Sequence, residues 1–406
     1  MGAQQNRTQF SGMRMMSRTK WVIGLLAIAA SCDNSGSDTR WAGSIDTLAS
    51  GRVVIANPET GAWDSASAWT IVEELRIGTM DGTGRELFGS VAGIEVDAQG
   101  RIWVLDRNAK EVRVFASDGS HVRTMGRLGS GPGEFRDPIG IALNRAGEAW
   151  IVDPGTARYT VFDSAGNYVA AHQRQVGGYT VPWRGGFDDN GRLLEAANVR
   201  AGNEFRSALV RYNESMQLVD TILVPHFDAS AFEVTNVDRS IVATVPYAPS
   251  MVWSFSLDGT LWSGINEEYR LFQQNLEGDT LREITREYER LPVTNAERDT
   301  AISRMSWFTN QGGSMDASKI PSRKPAFSRI DIAPDGHLWI AATQGPDPVG
   351  TVFDIFDPDG RYLGEVRSQT TLRGLRFHDG RVFALATDSL GVTYVVRLRF
   401  GPPAAR

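Results

Sequence analysis

The segment GIEVDAQGRIWVLD (residues 93–106) recurs 47 residues later as GIALNRAGEAWIVD (residues 140–153). In both copies a glycine is followed three residues later by a bulky apolar residue inside a short apolar run. This pair of residues occurs six times along the chain: Gly100/Trp103, Gly147/Trp150, Gly191/Leu194, Gly259/Trp262, Gly336/Trp339 and Gly380/Phe383. A sequence repeat with a period of 47 residues indicates an architecture built from similar structural units.

Each repeat unit consists of four short apolar segments separated by Gly, Asp and Asn. Such segments, rich in Val, Ile, Phe and Trp with period two, predict β-strands. The glycines supply the positive φ that tight hairpin turns need. A four-stranded antiparallel unit of about 45 residues, repeated in tandem, is typical of a β-propeller blade. The sequence therefore predicts an all-β, six-bladed β-propeller of four-stranded antiparallel blades.

The two ends of the chain predict how the ring closes. The last unit has only three strands and ends in VTYVVRLRF (residues 392–400), whereas TIVEELRI (Thr70–Ile77) precedes the first unit as an unassigned strand. We expect this N-terminal strand to complete the last blade, because the pairing removes two exposed sheet edges. A seventh glycine copy at Gly51 is interpreted as an extra strand on the same closing blade.

Extra sequence between the units predicts where binding residues lie. Long insertions occupy residues 220–249 and 285–326, and a shorter one lies at residues 345–350. Strand direction places all three on the face opposite the uniform glycine turns, which we call the insertion-bearing face. Binding residues concentrate on variable loops held by a rigid scaffold, so this face is the predicted site. The alternative is that the insertions only cover a sheet or plug the channel.

Residues 294–307 predict a short helix within the second insertion. Thr294 or Asn295 can cap it, and Glu297 lies in its first turn. Its expected apolar side consists of Ala301, Met305 and Trp307. The helix is expected either to form a lid over the channel mouth or to pack on the rim.

The N-terminus predicts a lipoprotein-type signal peptide over residues 1–32. Basic residues up to Lys20 precede a ten-residue apolar stretch that is too short to span a bilayer. Cys32, the only cysteine, stands where a bacterial lipoprotein box has its acylated cysteine, although Ala29 replaces the commonest residue, leucine. We expect lipidation at Cys32, a flexible tether over residues 33–40 and the propeller over residues 41–402. An ordinary secretory signal with an incidental cysteine is the alternative.

Composition and compartment limit the expected partners. The chain has 42 basic and 48 acidic residues, and loss of four basic residues with the signal would change its net charge from −6 to −10. Such an acidic body argues against nucleic-acid binding and against electrostatic adhesion to anionic lipid. We expect a monomer in the bacterial cell envelope, periplasmic or on the outer surface. It would be held to a membrane through Cys32 and bind a protein, small molecule or glycan.

The stretch RLGSGPGEFRDP (residues 127–138), followed by IGIALNRAGEAWIVD and VFDSAG, resembles the NHL-repeat pattern. The match extends over residues 78–170 and is weaker over 327–366. Overall the chain resembles the exported six-bladed NHL-like propeller lipoproteins of bacteria. That resemblance implies a ring with a central channel but no particular activity.

Charged residues on the predicted inner strands are the candidate ligand-binding groups. They are Glu95, Arg184, Arg329, Asp331, Arg373 and Arg376. Arginines near an axis can hold a carboxylate, phosphate or sugar acid by forked hydrogen bonds, or they can pair with the acids of neighbouring blades. Trp183 is a candidate sugar or aromatic platform, with core packing as its alternative. Asp106 and Asp153 are expected to fix turns.

No catalytic constellation is recognisable in the sequence. The five histidines are scattered, and no HxH, HExxH, paired-cysteine, EF-hand or GxSxG motif is present. We therefore predict no catalytic residues, no metal ligands and no cofactor, and we favour a ligand- or protein-binding module. A metal-dependent hydrolase or lyase with an axial calcium or zinc ion stays open, as does a structural subunit of an envelope complex.

Overall fold

The computed structural model describes residues 41–80, 84–176, 183–236 and 239–402, and its fold is a six-bladed β-propeller, as the repeat predicts. Blade 1 consists of strands Val91–Val96, Ile102–Asp106, Glu111–Phe115 and His121–Met125. Blade 2 consists of Gly140–Leu143, Ala149–Asp153, Arg158–Phe162 and Tyr168–Gln173. Blade 3 consists of Gly185–Phe187, Leu193–Ala201, Glu204–Tyr212 and Leu218–Leu223.

The second half of the ring repeats this arrangement and closes it. Blade 4 contains Met251–Phe255, Leu261–Ile265, Arg270–Gln274 and Thr280–Arg286. Blade 5 contains Phe327–Ile332, Leu338–Ala342, Thr351–Phe356 and Tyr362–Ser368. Blade 6 contains Thr371–His378, Arg381–Thr387, Thr393–Gly401 and, as its outer strand, Thr70–Ile77. The N-terminal strand pairs antiparallel with Thr393–Gly401, so the predicted closure is confirmed.

The strand after Gly51 does not belong to the closing blade, and that prediction is wrong. Val53–Asn57 pairs parallel with Thr280–Arg286, the outer strand of blade 4, and Ser44–Thr47 pairs beyond it. Asn57 fixes this position because its amide nitrogen donates to the Gly360 carbonyl at 3.0 Å. The apolar pattern predicts a strand but not its partner, because the outer edges of several blades offer similar pairing.

The repeat marker residues form the core between blades. The residues three positions after the turn glycines are at most 7% exposed in all six copies: Trp103, Trp150, Leu194, Trp262, Trp339 and Phe383. Trp339 of blade 5, for example, packs in one cluster with Leu372 and Val382 of blade 6. A large apolar side chain at this position therefore packs one blade against its neighbour. This packing stabilises the ring, because burial of apolar area is the main favourable contribution to folding.

The two long insertions fold into regular structure on the insertion-bearing face. The first contains a hairpin of Ala231–Asn236 and Arg239–Thr244, and the second contains helices Asn295–Arg304 and Ser306–Thr309 and a 3-10 turn. The predicted helix is confirmed, with Thr294 as N-cap in a capping box with Glu297.

One predicted contact of the helical insertion is wrong. Trp307 is 47% exposed, whereas its neighbour Phe308 is fully buried. The first helix ends at Arg304 and a second begins at Ser306, so the helical phase changes and Phe308 turns inward.

Together the two insertions share one hydrophobic cluster, which we call the cap. Its buried members are Phe232, Ala243, Val245, Ala248, Met305, Phe308 and Ile320. Lys324 then ties the cap to blade 5, because its buried ammonium bonds both Glu297 and, at 3.1 Å, the carbonyl of Gln344. The cap therefore has its own hydrophobic core, and the contacts of Lys324 attach it to blade 5.

The predicted signal peptide, the tether and Cys32 lie outside the described residues. Within the described part of the chain, no helix combines the length and the apolar character needed to traverse a bilayer.

Candidate functional site

The inner strands carry two sets of residues at matching levels around the propeller axis. Pairing with the second strand of each blade defines these levels. The first level, which we call the entrance ring, contains Gly93, Gly140, Arg184, Val252, Arg329 and Arg373. The second level, the inner ring, contains Glu95, Ala142, Gly186, Ser254, Asp331 and Arg376. Each inner strand runs from the insertion-bearing face to its glycine turn, so the entrance ring lies nearer that face.

An irregularity in blade 6 brings both of its arginines into these rings. The strand register shifts between Arg373 and Arg376, which places Arg373 opposite Leu385 and Arg376 opposite Phe383. Gly374 adopts a φ of 62° within this bulge. A bulge re-aims side chains in this way, and the spacing of three residues hides the alignment from the sequence pattern.

Two of the arginines are engaged by carboxylates. Arg329 Nε donates to Asp331 Oδ2 at 2.6 Å, and Arg376 Nε donates to Glu95 Oε1 at 2.8 Å. Burial raises the pKa of both Asp331 and Glu95, and the adjacent guanidinium groups oppose that rise. The inner ring is therefore a largely satisfied polar network. The pairing of charges that the sequence left open is present here.

The entrance ring retains arginine donors with no acceptor among the described residues. Arg184 forms no ion pair there, and its guanidinium lies 5.2 Å from the centroid of the Trp253 ring. Desolvation lowers the pKa of Arg184, which nevertheless stays cationic because arginine titrates far above neutrality. Arg329 Nη2 is buried without a hydrogen-bond partner in the described structure. Arg373 is exposed and reaches only the Thr393 hydroxyl, at 3.5 Å.

The rings are locally cationic in an acidic protein. Four arginines against two carboxylates leave a charge of +2 around the axis, whereas the whole chain carries −6. A local excess of positive charge of this kind attracts anions. The arrangement can hold an anionic group through forked hydrogen bonds.

Trp183, the predicted platform, lies in the core. It is 7% exposed, and its indole nitrogen donates to Glu195 Oε1 at 3.1 Å. The same buried carboxylate also binds the Tyr159 hydroxyl and, at 2.6 Å, Arg174. Trp183 therefore belongs to a buried hydrogen-bonded cluster that links blades 2 and 3. Core packing is the alternative role that the sequence analysis gives for this residue.

The carboxylates at the ends of two second strands hold the loops between blades. Asp106 accepts hydrogen bonds from the backbone of Gly89 and Ser90, and Asp153 accepts them from Arg136 and Asp137. Both aspartates are fully buried. Each supplies acceptors to buried donors of an entering loop, which is a turn-fixing role.

Nothing among the described residues assembles a metal site. Three or more His, Cys, Asp and Glu side chains do not come together there in a way that could hold an ion. Two polar clefts do lie on the insertion-bearing face, with volumes of about 430 and 620 Å³. Arg286 and Tyr288 line both. The sequence did not reveal these clefts because their walls come from separate segments of blades 4 and 5, with only residues 345–350 recognisable as an insertion.

A comparison with known protein families agrees with the propeller fold. A family model described as a six-bladed beta-propeller (DUF5128) matches residues 75–175. No curated protein matches the sequence. A putative exported protein from Bacteroides fragilis is similar in structure, with 11% identity, 85% of this chain and 99% of that chain covered, and a TM-score of 0.49.

Two enzymes are also similar in structure. Virginiamycin B lyase from Staphylococcus aureus shares 12% identity over 82% of this chain and 99% of that one, with a TM-score of 0.45. A gluconolactonase from Xanthomonas campestris shares 13% identity over 80% and 98%, with a TM-score of 0.39. At such identities and scores the likenesses say nothing about activity.

Proposed function

We propose that the protein is an exported, membrane-tethered propeller that binds an anionic group through the entrance ring on its insertion-bearing face. The observation that carries the proposal is the unused donor capacity of Arg184, Arg329 and Arg373 at one level of the axis. The bound group is a carboxylate, phosphate or sugar acid, on a small molecule or on a partner protein. We propose binding, rather than catalysis, as its function.

Arg184 is the central residue of this proposal. Arg184 forms no ion pair with a carboxylate among the described residues, so no ion pair has to break before it binds an anion. Trp253 lies against one side of its guanidinium, and the side chain is otherwise exposed, so its donors can form charge-assisted hydrogen bonds with a ligand. Arg329 contributes the donor that its bond to Asp331 leaves free.

The site lies at the ends of the inner strands nearer the insertion-bearing face, where an anion on a larger partner could reach it. The strands fix the backbone positions of the arginines, and Trp253 and Asp331 orient the side chains of Arg184 and Arg329. Export and lipidation at Cys32 rest on the sequence, and a lipid anchor there would hold the protein at a membrane.

Isothermal titration of the full chain, purified in detergent, tests the proposal. Orthophosphate, succinate and D-glucuronate serve as probes at low ionic strength. We expect saturable binding of at least one probe and a loss of at least about tenfold in affinity in Arg184→Ala, because a charge-assisted hydrogen bond is removed. Absence of binding by all three, or binding unchanged in Arg184→Ala, would show that the entrance ring is not the site.

A further inference from the structure

A second candidate site is the larger cleft of the insertion-bearing face, which we call the blade 4–5 cleft. Its lining residues differ from those of the entrance ring. Its volume is about 620 Å³, and the neighbouring cleft of about 430 Å³ adjoins it at Arg286 and Tyr288. Ligand-binding clefts in proteins commonly measure about 300–1,000 Å³. No residue of either ring lines it.

The floor of the blade 4–5 cleft is fixed by a buried polar cluster. Arg286 Nη1 donates to Asp354 Oδ2 at 2.8 Å, and the hydroxyls of Tyr269 and Tyr362 donate to the same carboxylate at 2.7 and 2.9 Å. Asp354 is fully buried, and the Arg286 guanidinium lies 3.9 Å from the centroid of the Tyr362 ring. These contacts hold the floor in one arrangement, so the walls above it are pre-organised.

The walls of the cleft combine polar and aliphatic side chains and carry no excess positive charge. Glu365 and Arg367 pair with each other, as Arg286 and Asp354 do on the floor. Asp347 is exposed and unpaired among the described residues, and the amides of Gln344 and Gln369 add donors and acceptors. The remaining charge is thus negative, which disfavours the anions expected at the entrance ring.

These groups match the hydrogen bonding of hydroxyl groups. A hydroxyl donates and accepts at once, so it can bridge an amide, a carboxylate and a guanidinium in one wall. Tyr288 is half-buried and lines both clefts, and an aromatic ring offers an apolar surface for the C–H groups of a sugar. A peptide ligand is less suitable, because the free edge of the outer strand of blade 5 is partly occupied. There the backbone amides of Ala62 and Trp63 already donate to the carbonyls of Tyr362 and Leu363.

We propose that the blade 4–5 cleft binds a neutral saccharide of two or three sugar units, with Tyr288 as its stacking residue. Glu365, Arg367, Gln344 and Gln369 supply the hydrogen bonds to hydroxyl groups. This site is independent of anion binding at the entrance ring, because the two places share no residue and differ in charge.

Titration calorimetry of the full chain in detergent tests this site with maltotriose, cellotriose and N,N′-diacetylchitobiose. We expect saturable binding of at least one, weakened at least about tenfold in Tyr288→Ala and little changed in Tyr288→Phe. Arg367→Ala is a second variant, since this exposed side chain is not needed for the core, and it should also weaken binding. Tyr168→Ala, at an exposed tyrosine of blade 2 that does not line the cleft, is the control and should bind as the unaltered protein does.

Failure of all three saccharides to bind overturns the proposal. Binding that survives both Tyr288→Ala and Arg367→Ala overturns the location. Thermal melting of each variant shows that it is folded before titration. Neither outcome affects the anion titrations, which use other residues and other probes.

Discussion

Arg376 of blade 6 donates a hydrogen bond to Glu95 of blade 1 at 2.8 Å, although 281 residues separate them in sequence. The contact joins the last blade to the first beside the axis. It complements the outer closure, in which Thr70–Ile77 completes blade 6. Ring closure is therefore stabilised both at the axis and at the periphery.

Removal of Arg376 should destabilise the ring by leaving Glu95 enclosed without its counter-charge. Because Arg376 is 36% exposed, we expect a loss of about 1–2 kcal/mol in Arg376→Ala rather than the larger cost of a fully buried pair. Urea unfolding measures this loss, and the double variant Glu95→Ala/Arg376→Ala should recover part of it. Glu365→Ala, in the exposed pair with Arg367, should change stability by less than about 0.5 kcal/mol.

The cost of losing Arg376 should depend on pH in a defined direction. Burial already raises the pKa of Glu95, and loss of Arg376 removes a contribution that lowers it. An acid whose folded pKa is raised destabilises the fold above its unfolded pKa, about 4.3, and the penalty disappears as pH falls below that value. A penalty in Arg376→Ala that grows on acidification would contradict this account.

Buried tyrosines predict a loss of stability at alkaline pH. Tyr159, Tyr212, Tyr269 and Tyr362 are each at most 4% exposed. Burial raises the pKa of Tyr212 to about 12 and that of the other three further. Their stabilising contribution is complete below the unfolded value of about 10 and is lost as pH rises above it. Spectrophotometric titration should show these four ionising only on unfolding, and four additional tyrosinates in the native protein at pH 11 would contradict the prediction.

The cap should unfold separately from the blades when its core is opened. Phe308→Ala removes a fully buried ring from the cap cluster, with an expected cost of about 3–5 kcal/mol to that cluster. Hydrogen exchange should rise in residues 295–320 while the blades stay protected. Trp307→Ala is the matched control, because the adjacent ring is 47% exposed. Equal exchange in both variants, or loss of protection throughout the blades, would argue against a separate cap.

The tether prediction concerns Cys32. In a bacterial host, the unaltered chain should fractionate with membranes and incorporate labelled palmitate, because a lipidated cysteine supplies the anchor. Cys32→Ser should lack the label and move to the soluble fraction. If the two proteins fractionate alike without label, the signal is an ordinary secretory one.

The sequence predicts the ring much better than the site. The glycine-plus-three repeat predicts six blades because one glycine turn and one large core residue are required in every unit, as Trp103 and Trp339 illustrate. The sequence predicts the wrong blade for the strand after Gly51, because pairing partners depend on how distant edges meet. The sequence does identify the charged residues of the inner strands as candidates. Their division into paired and unpaired groups depends on the bulge before Arg376 and on contacts between blades, which no local pattern encodes.

The most direct test of the central claim is the location of a bound anion. Crystals of the protein soaked with D-glucuronate should give difference density for its carboxylate beside Arg184 at the entrance ring, with a second contact to Arg329 or Arg373. Density on the face of the glycine turns, or a fully occupied sugar acid that touches no entrance-ring arginine, would contradict the account.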